Sequence, residues 1–395
     1  MSKLTAIDLF SGAGGFSLAA YKAGFDLLAA VEFDKHAANT YQHNLIKRLS
    51  NKTRMYATDI NSINIDLFMT ELNLKSGELD LLLGGPPCQG FSTHRIKGSG
   101  EGDPRNKLLI KYFDFVEKLM PKAFLIENVP GLLWKRHEQY LNNFIMLAKS
   151  KHYKVISGGP LIINARDYGV PQNRRRAFIL AIREDIPSEG FSWPPKPTHI
   201  KPDFDKPLAK NIWVSASTVF EKPPQRVLDD LVPRMQKVLG WSEARSLNTI
   251  NSLKFGKPLS NADWCNRSMV HKPFMVDRFR MTPLMGSREE LEFRLKCHDN
   301  GYSGHKDVYG RVFFHTPSNT ITTGCHNPSK GRFLHPWENH GITLRHAARL
   351  QTFPDSFEFF GGVMAASRQI GNAVPVDLGL ALINSLTKSY LTSDI

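Results

Sequence analysis

A cysteine that follows two prolines at the end of an apolar run is mounted differently from one that fills a core. Residues 79–92 read LDLLLGGPPCQGFS. Pro86 and Pro87 have fixed φ and no N–H, so they stiffen the backbone entering Cys88. A packed cysteine behaves as a small apolar side chain and needs no such mount. A nucleophile held at the edge of a pocket does, and Cys88 taken alone suits either role. Glu127 closes a second apolar run, AFLIENVPGLL. A carboxylate there either caps a turn or, half-buried, holds and delivers a proton, since burying it unpaired is costly. In PQNRRRAFIL, Arg174, Arg175 and Arg176 stand directly before a strand, and strand period puts Arg174 and Arg176 on one side. Two guanidiniums on one face would bind a phosphate and a carbonyl oxygen in one pocket; a solvated face is the plainer use of such a run.

These groups need a scaffold, and the first half of the chain supplies its pattern. Short apolar runs at 6–10, 26–32, 79–85, 123–129 and 176–182, with a further one in VISGGPLII, read as buried strands. Between them GFSLAAYKAG, HAANTYQHNLIKRL and LLIKYFDFVEKL have helical spacing. This alternation predicts an α/β fold, a doubly wound, mostly parallel sheet with helices on both faces. In such sheets ligands bind beyond the carboxyl ends of the strands. The first strand runs into SGAGGF (11–16), a glycine turn leading to a helix N-terminus. Glu32 ends the second strand at a distance suited to ribose hydroxyls, and Asp59 follows RMYAT where it would meet an adenine amino group. Together they describe a nucleoside-cofactor pocket. The spacing Gly12-x-Gly14-Gly15 departs from G-x-G-x-x-G, which argues against a nicotinamide dinucleotide.

The chain has 395 residues, with 51 Lys+Arg against 37 Asp+Glu and a net charge of +14. Basicity of this size favours a polyanionic partner, most often nucleic acid. Four cysteines are too sparse for a disulfide framework, and the N-terminus has neither a leader nor a span, so a reducing cytoplasm is the expected setting, with no membrane partner. After Arg183 the texture changes: FSWPPKPTHIKPDFDKP reads as an extended linker, and periodicity is poor up to about residue 340. LRHAARLQTF (344–353) and VDLGLALINSLTKSYL (376–391) are again helical. The expected organisation is a catalytic and cofactor-binding domain over 1–190, a smaller irregular domain with a hinge over 191–365, and a segment over 366–395 returning to the first domain. Cys297, His298, His305, Cys325 and His326 match no structural zinc spacing, and no metal is expected.

Taken in order, IDLFSGAGGF, Glu32, Asp59, GGPPCQGFS, DPRNKLL, ENVPGLL, QNRRRAF, ARLQTFPDSF and QIGNAVP closely resemble the DNA cytosine-C5 methyltransferase family, and they span nearly the whole chain. One departure is visible: Arg345-His346 stands where the family usually has Arg-Glu, which bears on packing more than on catalysis. The resemblance implies a class I, Rossmann-like methyltransferase fold whose poorly periodic segment is a target-recognition domain. It implies S-adenosyl-L-methionine as cofactor, held by Phe10, Ser11, Gly12, Gly14, Gly15, Phe16, Glu32, Phe33, Asp59, Ile60, Pro86, Asn372 and Ala373. It implies that Cys88 attacks carbon 6 of a cytosine flipped out of duplex DNA, that Glu127 holds N3, and that Arg176 binds the exocyclic oxygen with Arg174 at the same site or the neighbouring phosphate. Residues 92–106 would form a lid closing over the flipped base. The partners implied are double-stranded DNA with a short specific sequence and a cognate restriction endonuclease, the enzyme being a bacterial cytoplasmic, nucleoid-associated monomer. A tRNA methyltransferase on the same core would carry a Cys-Phe-Thr signature, which is not found; a catalytically dead DNA-binding regulator would have lost Cys88, Glu127 or the glycines, all of which are present.

Overall fold

The computed structural model describes residues 3–86, 107–187, 191–206, 209–291 and 306–387. Cys88 and the expected lid lie outside the described residues. The residues cluster into two compact units, one of 1–164, 175–196 and 373–395, the other of 165–174 and 197–372. Residues 165–174, which the strand pattern grouped with the first domain, cluster with the second unit.

The first unit is built on one sheet. Its strands are β1 (Thr5–Leu9), β2 (Asp26–Val31), β3 (Arg54–Tyr56), β4 (Leu81–Gly84), β5 (Ala123–Asn128), β6 (Tyr153–Val155), β7 (Leu161–Asn164) and β8 (Arg175–Arg183). They lie in the order β3-β2-β1-β4-β5-β8-β6, with β7 also paired to β8. The pairs among β1 to β5 are parallel, whereas β8 runs antiparallel to β5, β6 and β7. The mostly parallel, doubly wound sheet expected from the sequence is present. The run VISGGPLII is two strands rather than one, because Ser157 (φ 60°) and Gly158 (φ 72°) turn the chain between β6 and β7. Order reverses at β1, which lies between β2 and β4, so the connections leaving β1 and β4 diverge and open a crevice at their carboxyl ends.

Helices α1 (Gly15–Lys22), α2 (Lys35–Tyr41), α3 (Ile65–Glu71), α4 (Lys107–Leu119) and α5 (Glu138–Ser150) belong to this unit. All four residues of β4 and six successive residues of β8 are buried, as strands covered on both faces require. An aromatic layer of Tyr112, Phe113, Phe124 and Phe144 packs edge to face at 5.5–6.2 Å between ring centres.

The second unit contains α6 (Gln225–Leu239), α7 (Glu243–Ser252), α8 (Pro273–Met281), α9 (Leu344–Leu350) and α10 (Gly362–Asn372). Its loops are cross-braced by buried guanidiniums. Arg311 donates to the carbonyls of Thr282, His335, Glu338 and Phe279 at 2.7–2.8 Å. Arg332 donates to the carbonyls of Met285, Gly286 and Arg311 at 3.0 Å. Carbonyls that a ladder would satisfy in a regular fold are satisfied here by side chains. The chain then returns to the first unit as α11 (Val376–Leu386), which packs on α1. At Gly379 a Cβ would lie 2.8 Å from Cβ of Ala19, so glycine permits that close approach. Among the described residues, no helix is long and apolar enough to cross a membrane.

Candidate active site

Beyond β1 the chain enters a tight left-handed turn. Phe10 (φ 61°), Gly12 (φ 57°) and Gly14 (φ 93°) adopt positive φ, and Gly14 is the N-cap of α1. The Ser11 N–H donates to the Val31 carbonyl at 3.0 Å and that of Gly14 to the Ser11 carbonyl at 2.9 Å. A Cβ on Gly14 would lie 2.3 Å from Leu45 Cδ1 and 2.8 Å from Tyr41 Cδ2, so the turn sits directly on α2 and the turns that follow it. Gly12 faces the other way: no described residue lies within 4 Å of a Cβ built there.

Glu32, immediately after β2, is half-buried and clamps this turn. Its Oε2 accepts the Gly12 N–H at 2.8 Å and its Oε1 the Asp34 N–H at 2.7 Å. Burial raises its pKa above the ordinary carboxylate range, opposed by these backbone donors. Phe33 beside it is 76% exposed. Asp59 lies three residues beyond the end of β3, exposed, and caps a short turn by accepting from Asn61 N at 2.9 Å; Ile60 next to it is buried. Phe16 is buried in α1. The Ser11 hydroxyl is buried with no hydrogen-bond partner among the described residues. An orphaned hydroxyl, open space above Gly12 and a carboxylate at the second strand end suit a polar nucleoside ligand, so the residues fit a cofactor of the S-adenosylmethionine type.

A second strand-end carboxylate lies two strands away from β1. Glu127 is the penultimate residue of β5, paired in register with Phe178 of β8, while Arg176 stands two residues earlier on β8. Arg176 Nε reaches 2.9 Å from Glu127 Oε1, with both side chains mostly buried. Among the described residues, none donates that oxygen a well-aligned hydrogen bond. A Cβ on Gly85 would stand 3.9 Å from Glu127 Oε2, so the carboxylate borders the segment that leads to Cys88. Asn128 Nδ2 donates to the Pro86 carbonyl at 3.4 Å, tying the same two strand ends. Gly84 lets α4 close over β4, since a Cβ there would meet Tyr112 Cε2 at 2.4 Å.

Arg174 is not brought to this pair. It is 1% exposed, belongs to the second unit, and donates from Nη1 to the Ile321 carbonyl at 2.9 Å and from Nη2 to the Gly371 carbonyl at 3.0 Å. Strand period does not apply to it, because β8 begins only at Arg175. Asn372 ends α10, exposed, at the point where the chain passes between the units, and Ala373 follows half-buried. The sequence reasoning missed Gln172 and Gln351, both fully buried in the second unit. Gln172 donates to the Leu350 carbonyl at 3.0 Å and to Gln351 Oε1 at 2.9 Å, and accepts from Ile321 N at 2.8 Å. Gln351 donates in turn to the Ile370 carbonyl at 2.6 Å. The signal was present, since both amides sit inside the quoted motifs PQNRRR and ARLQTF. Cys325 and His326 engage Ser367 at 3.4 Å and 2.9 Å. Burial pushes the Cys325 thiol up to about 11, which makes it inert.

A family model described as C-5 cytosine-specific DNA methylase matches residues 4–388. Among curated proteins, the chain is 32% identical to the type II methyltransferase M.Sau96I of Staphylococcus aureus, over 96% of this chain and 74% of that one. It is 30% identical to the type II methyltransferase M.DdeI of Desulfomicrobium norvegicum, over 96% and 88%. The type II methyltransferase M.AgeI of Thalassovita gelatinovora is 29% identical over 96% and 98%. Among solved structures, one described as a prophage-encoded DNA modification methyltransferase (E. coli) superposes with a TM-score of 0.65 at 24% identity, covering 98% of this chain and 99% of that one. Entamoeba histolytica methyltransferase EhMeth gives 0.57 at 15% identity, over 98% and 99%. These two likenesses concern the fold.

Proposed function

Because the chain belongs to the C-5 cytosine-specific DNA methylase family, we propose that it methylates one cytosine within a short specific sequence of duplex DNA as the modification half of a restriction–modification system. The observation that carries the reading is the Glu127–Arg176 pair at the paired ends of β5 and β8, made through Glu127 Oε1, with the other carboxylate oxygen, Oε2, beside the segment leading to Cys88.

In this reading Ser11, Glu32, Phe33, Asp59 and Ile60 would hold S-adenosyl-L-methionine at the glycine turn, with Phe10, Gly12, Gly14, Gly15, Phe16, Pro86, Asn372 and Ala373. When bound, it supplies an electrophilic methyl group. The target base leaves the duplex at a cost of a few kcal/mol, offset by contacts in the pocket. The Cys88 thiolate adds to carbon 6 of the ring. Glu127 holds a proton at N3, so that the electron pair displaced by the thiolate is not left as a bare anion. Arg176 donates to the exocyclic oxygen and fixes the Glu127 carboxylate. Carbon 5 becomes electron-rich enough to accept a methyl group; loss of the carbon 5 proton and departure of the Cys88 thiolate then restore the aromatic ring. Arg174 acts by holding the second unit together. The lid role of residues 92–106, a monomeric state, a cognate endonuclease and a place in the bacterial cytoplasm at the nucleoid belong to the same reading.

Bisulfite sequencing of plasmid DNA from cells expressing the chain, beside a Cys88→Ser control, tests it. Protected cytosines at one recurring short sequence in the wild type alone are the expected result. Absence of protection in both samples would overturn the assignment to DNA.

A further inference from the structure

Beneath the cofactor turn lies a buried acid to which the methyl-transfer chemistry gives no role. Asp8, in β1, is 1% exposed and lies in register with Ala30 of β2 and Leu83 of β4. Its Oδ2 accepts the Ser17 hydroxyl at 2.6 Å, the short distance of a charge-assisted bond. Ser17 lies in the first turn of α1, and its oxygen accepts the Tyr41 hydroxyl at 3.1 Å. Ser17 and Tyr41 are both fully buried. The Tyr41 ring is also what a Cβ on Gly14 would strike, so one residue touches the turn from below and the Asp8–Ser17 bond from the side. The chain Asp8–Ser17–Tyr41 therefore ties together β1, the start of α1 and α2, the three elements that frame the turn.

We propose that Asp8 is a positioning residue for cofactor binding: as a carboxylate it holds the Phe10–Gly14 turn and the first turn of α1 in place through Ser17 and Tyr41, and on protonation it lets them loosen. The inference rests on the reading of that turn as the S-adenosylmethionine site. Its electrostatic setting makes the switch accessible. Asp8 faces Glu32 at the end of β2, Tyr41 of α2 and Tyr112 of α4, and among the described residues no cation acts on it. Burial raises it to about 7, with the Glu32 charge adding to the rise and the Ser17 bond opposing it. A carboxylate held this way changes charge in the physiological range, whereas an exposed one does not.

The probe is S-adenosylhomocysteine, with its dissociation constant measured by titration calorimetry on the whole protein between pH 6 and 8.5. Wild-type affinity is expected to be level at the alkaline end and to weaken by up to tenfold per pH unit below the break, the limit for one linked proton. Asp8→Asn keeps the shape and removes the charge; it is expected to bind several-fold more weakly at pH 8 and to lose most of the slope. Tyr41→Phe removes the bond that polarises the Ser17 hydroxyl toward Asp8, and is expected to move the break to higher pH. A wild-type slope that persists unchanged in Asp8→Asn, or a break that stays in place in Tyr41→Phe, overturns the proposal. A folded wild type that binds no S-adenosylhomocysteine at any pH overturns the cofactor reading instead.

Discussion

Arg176 Nε stands 2.9 Å from Glu127 Oε1, across the pairing of β5 with β8. The pair joins a planar donor to an acid at two adjacent strand ends, and each has capacity left for a ligand. Glu127→Gln preserves the shape and removes the proton-holding group. Single-turnover methyl transfer is expected to slow about a hundredfold or more, with S-adenosylhomocysteine affinity unchanged. Arg176→Lys replaces a fork by a point charge and is expected to cost about tenfold or more in the same assay. An unchanged single-turnover rate in Glu127→Gln would refute its role.

The two glycines of the turn proposed to hold the cofactor are expected to separate ligand binding from folding. Gly12→Ala puts a methyl group into open space at a φ of 57°. It is expected to cost roughly 1 kcal/mol of stability while weakening cofactor binding at least tenfold. Gly14→Ala combines a φ of 93° with collisions against Leu45 and Tyr41. Its stability loss is expected to exceed about 2 kcal/mol. Urea unfolding and calorimetry on the two variants check both halves; equal stability losses would contradict the geometry.

Arg174 is expected to matter for stability and not for chemistry. Arg174→Met removes a buried guanidinium that bonds the Ile321 and Gly371 carbonyls. The loss is expected at about 2–4 kcal/mol, because two buried bonds from a charged donor are removed. If instead the protein keeps its unfolding midpoint and loses only its single-turnover rate, Arg174 reaches the substrate after all.

This contrast shows what the sequence made legible. Strands β1, β2, β4, β5 and β8 could be read because strands buried on both faces are continuous apolar runs. The polar residues at their ends, Glu32 and Glu127, followed directly. Arg174 was paired with Arg176 by extending strand period one residue past the true start of β8, and nothing in the run RRR marks that start. Helix α6 was missed although Val227, Leu228, Leu231 and Met235 are buried at helical spacing, because Pro233 inside it and the prolines before it argue locally against a helix. Helix α10 was hidden by the glycines at its start and near its end. The guanidinium bracing by Arg311 and Arg332 joins residues far apart in sequence, so no local pattern announces it.

The second unit should be acid-sensitive. His346 takes the place of the usual glutamate in a capping box: its Nδ1 accepts the Thr343 N–H at 3.2 Å while its own N–H donates to Thr343 Oγ1 at 3.2 Å. That arrangement requires a neutral imidazole, and burial, helped by the Arg349 charge, pushes His346 down to about 3. Burial takes His315 down to about 4 and His335 well below its ordinary value, His335 also facing His346, His340 and Arg311. Unfolded, each imidazole titrates near its usual 6.5, so the folded state binds fewer protons below that pH. Their contribution is complete above about pH 6.5 and is lost as pH falls toward 4, at up to about 1.4 kcal/mol per unit for each ring. Urea midpoints at pH 7.5 and 5.0 check this, and His346→Gln should flatten the difference.

The packing of α11 on α1 makes the first unit discontinuous in sequence. The helix that begins at the glycine turn precedes the second unit in the chain, so the face it shares with Gly379 is covered only after that whole unit has been translated. A chain interrupted within the second unit therefore lacks one of the surfaces that cover the helix after the glycine turn, and its sheet must hold that helix alone.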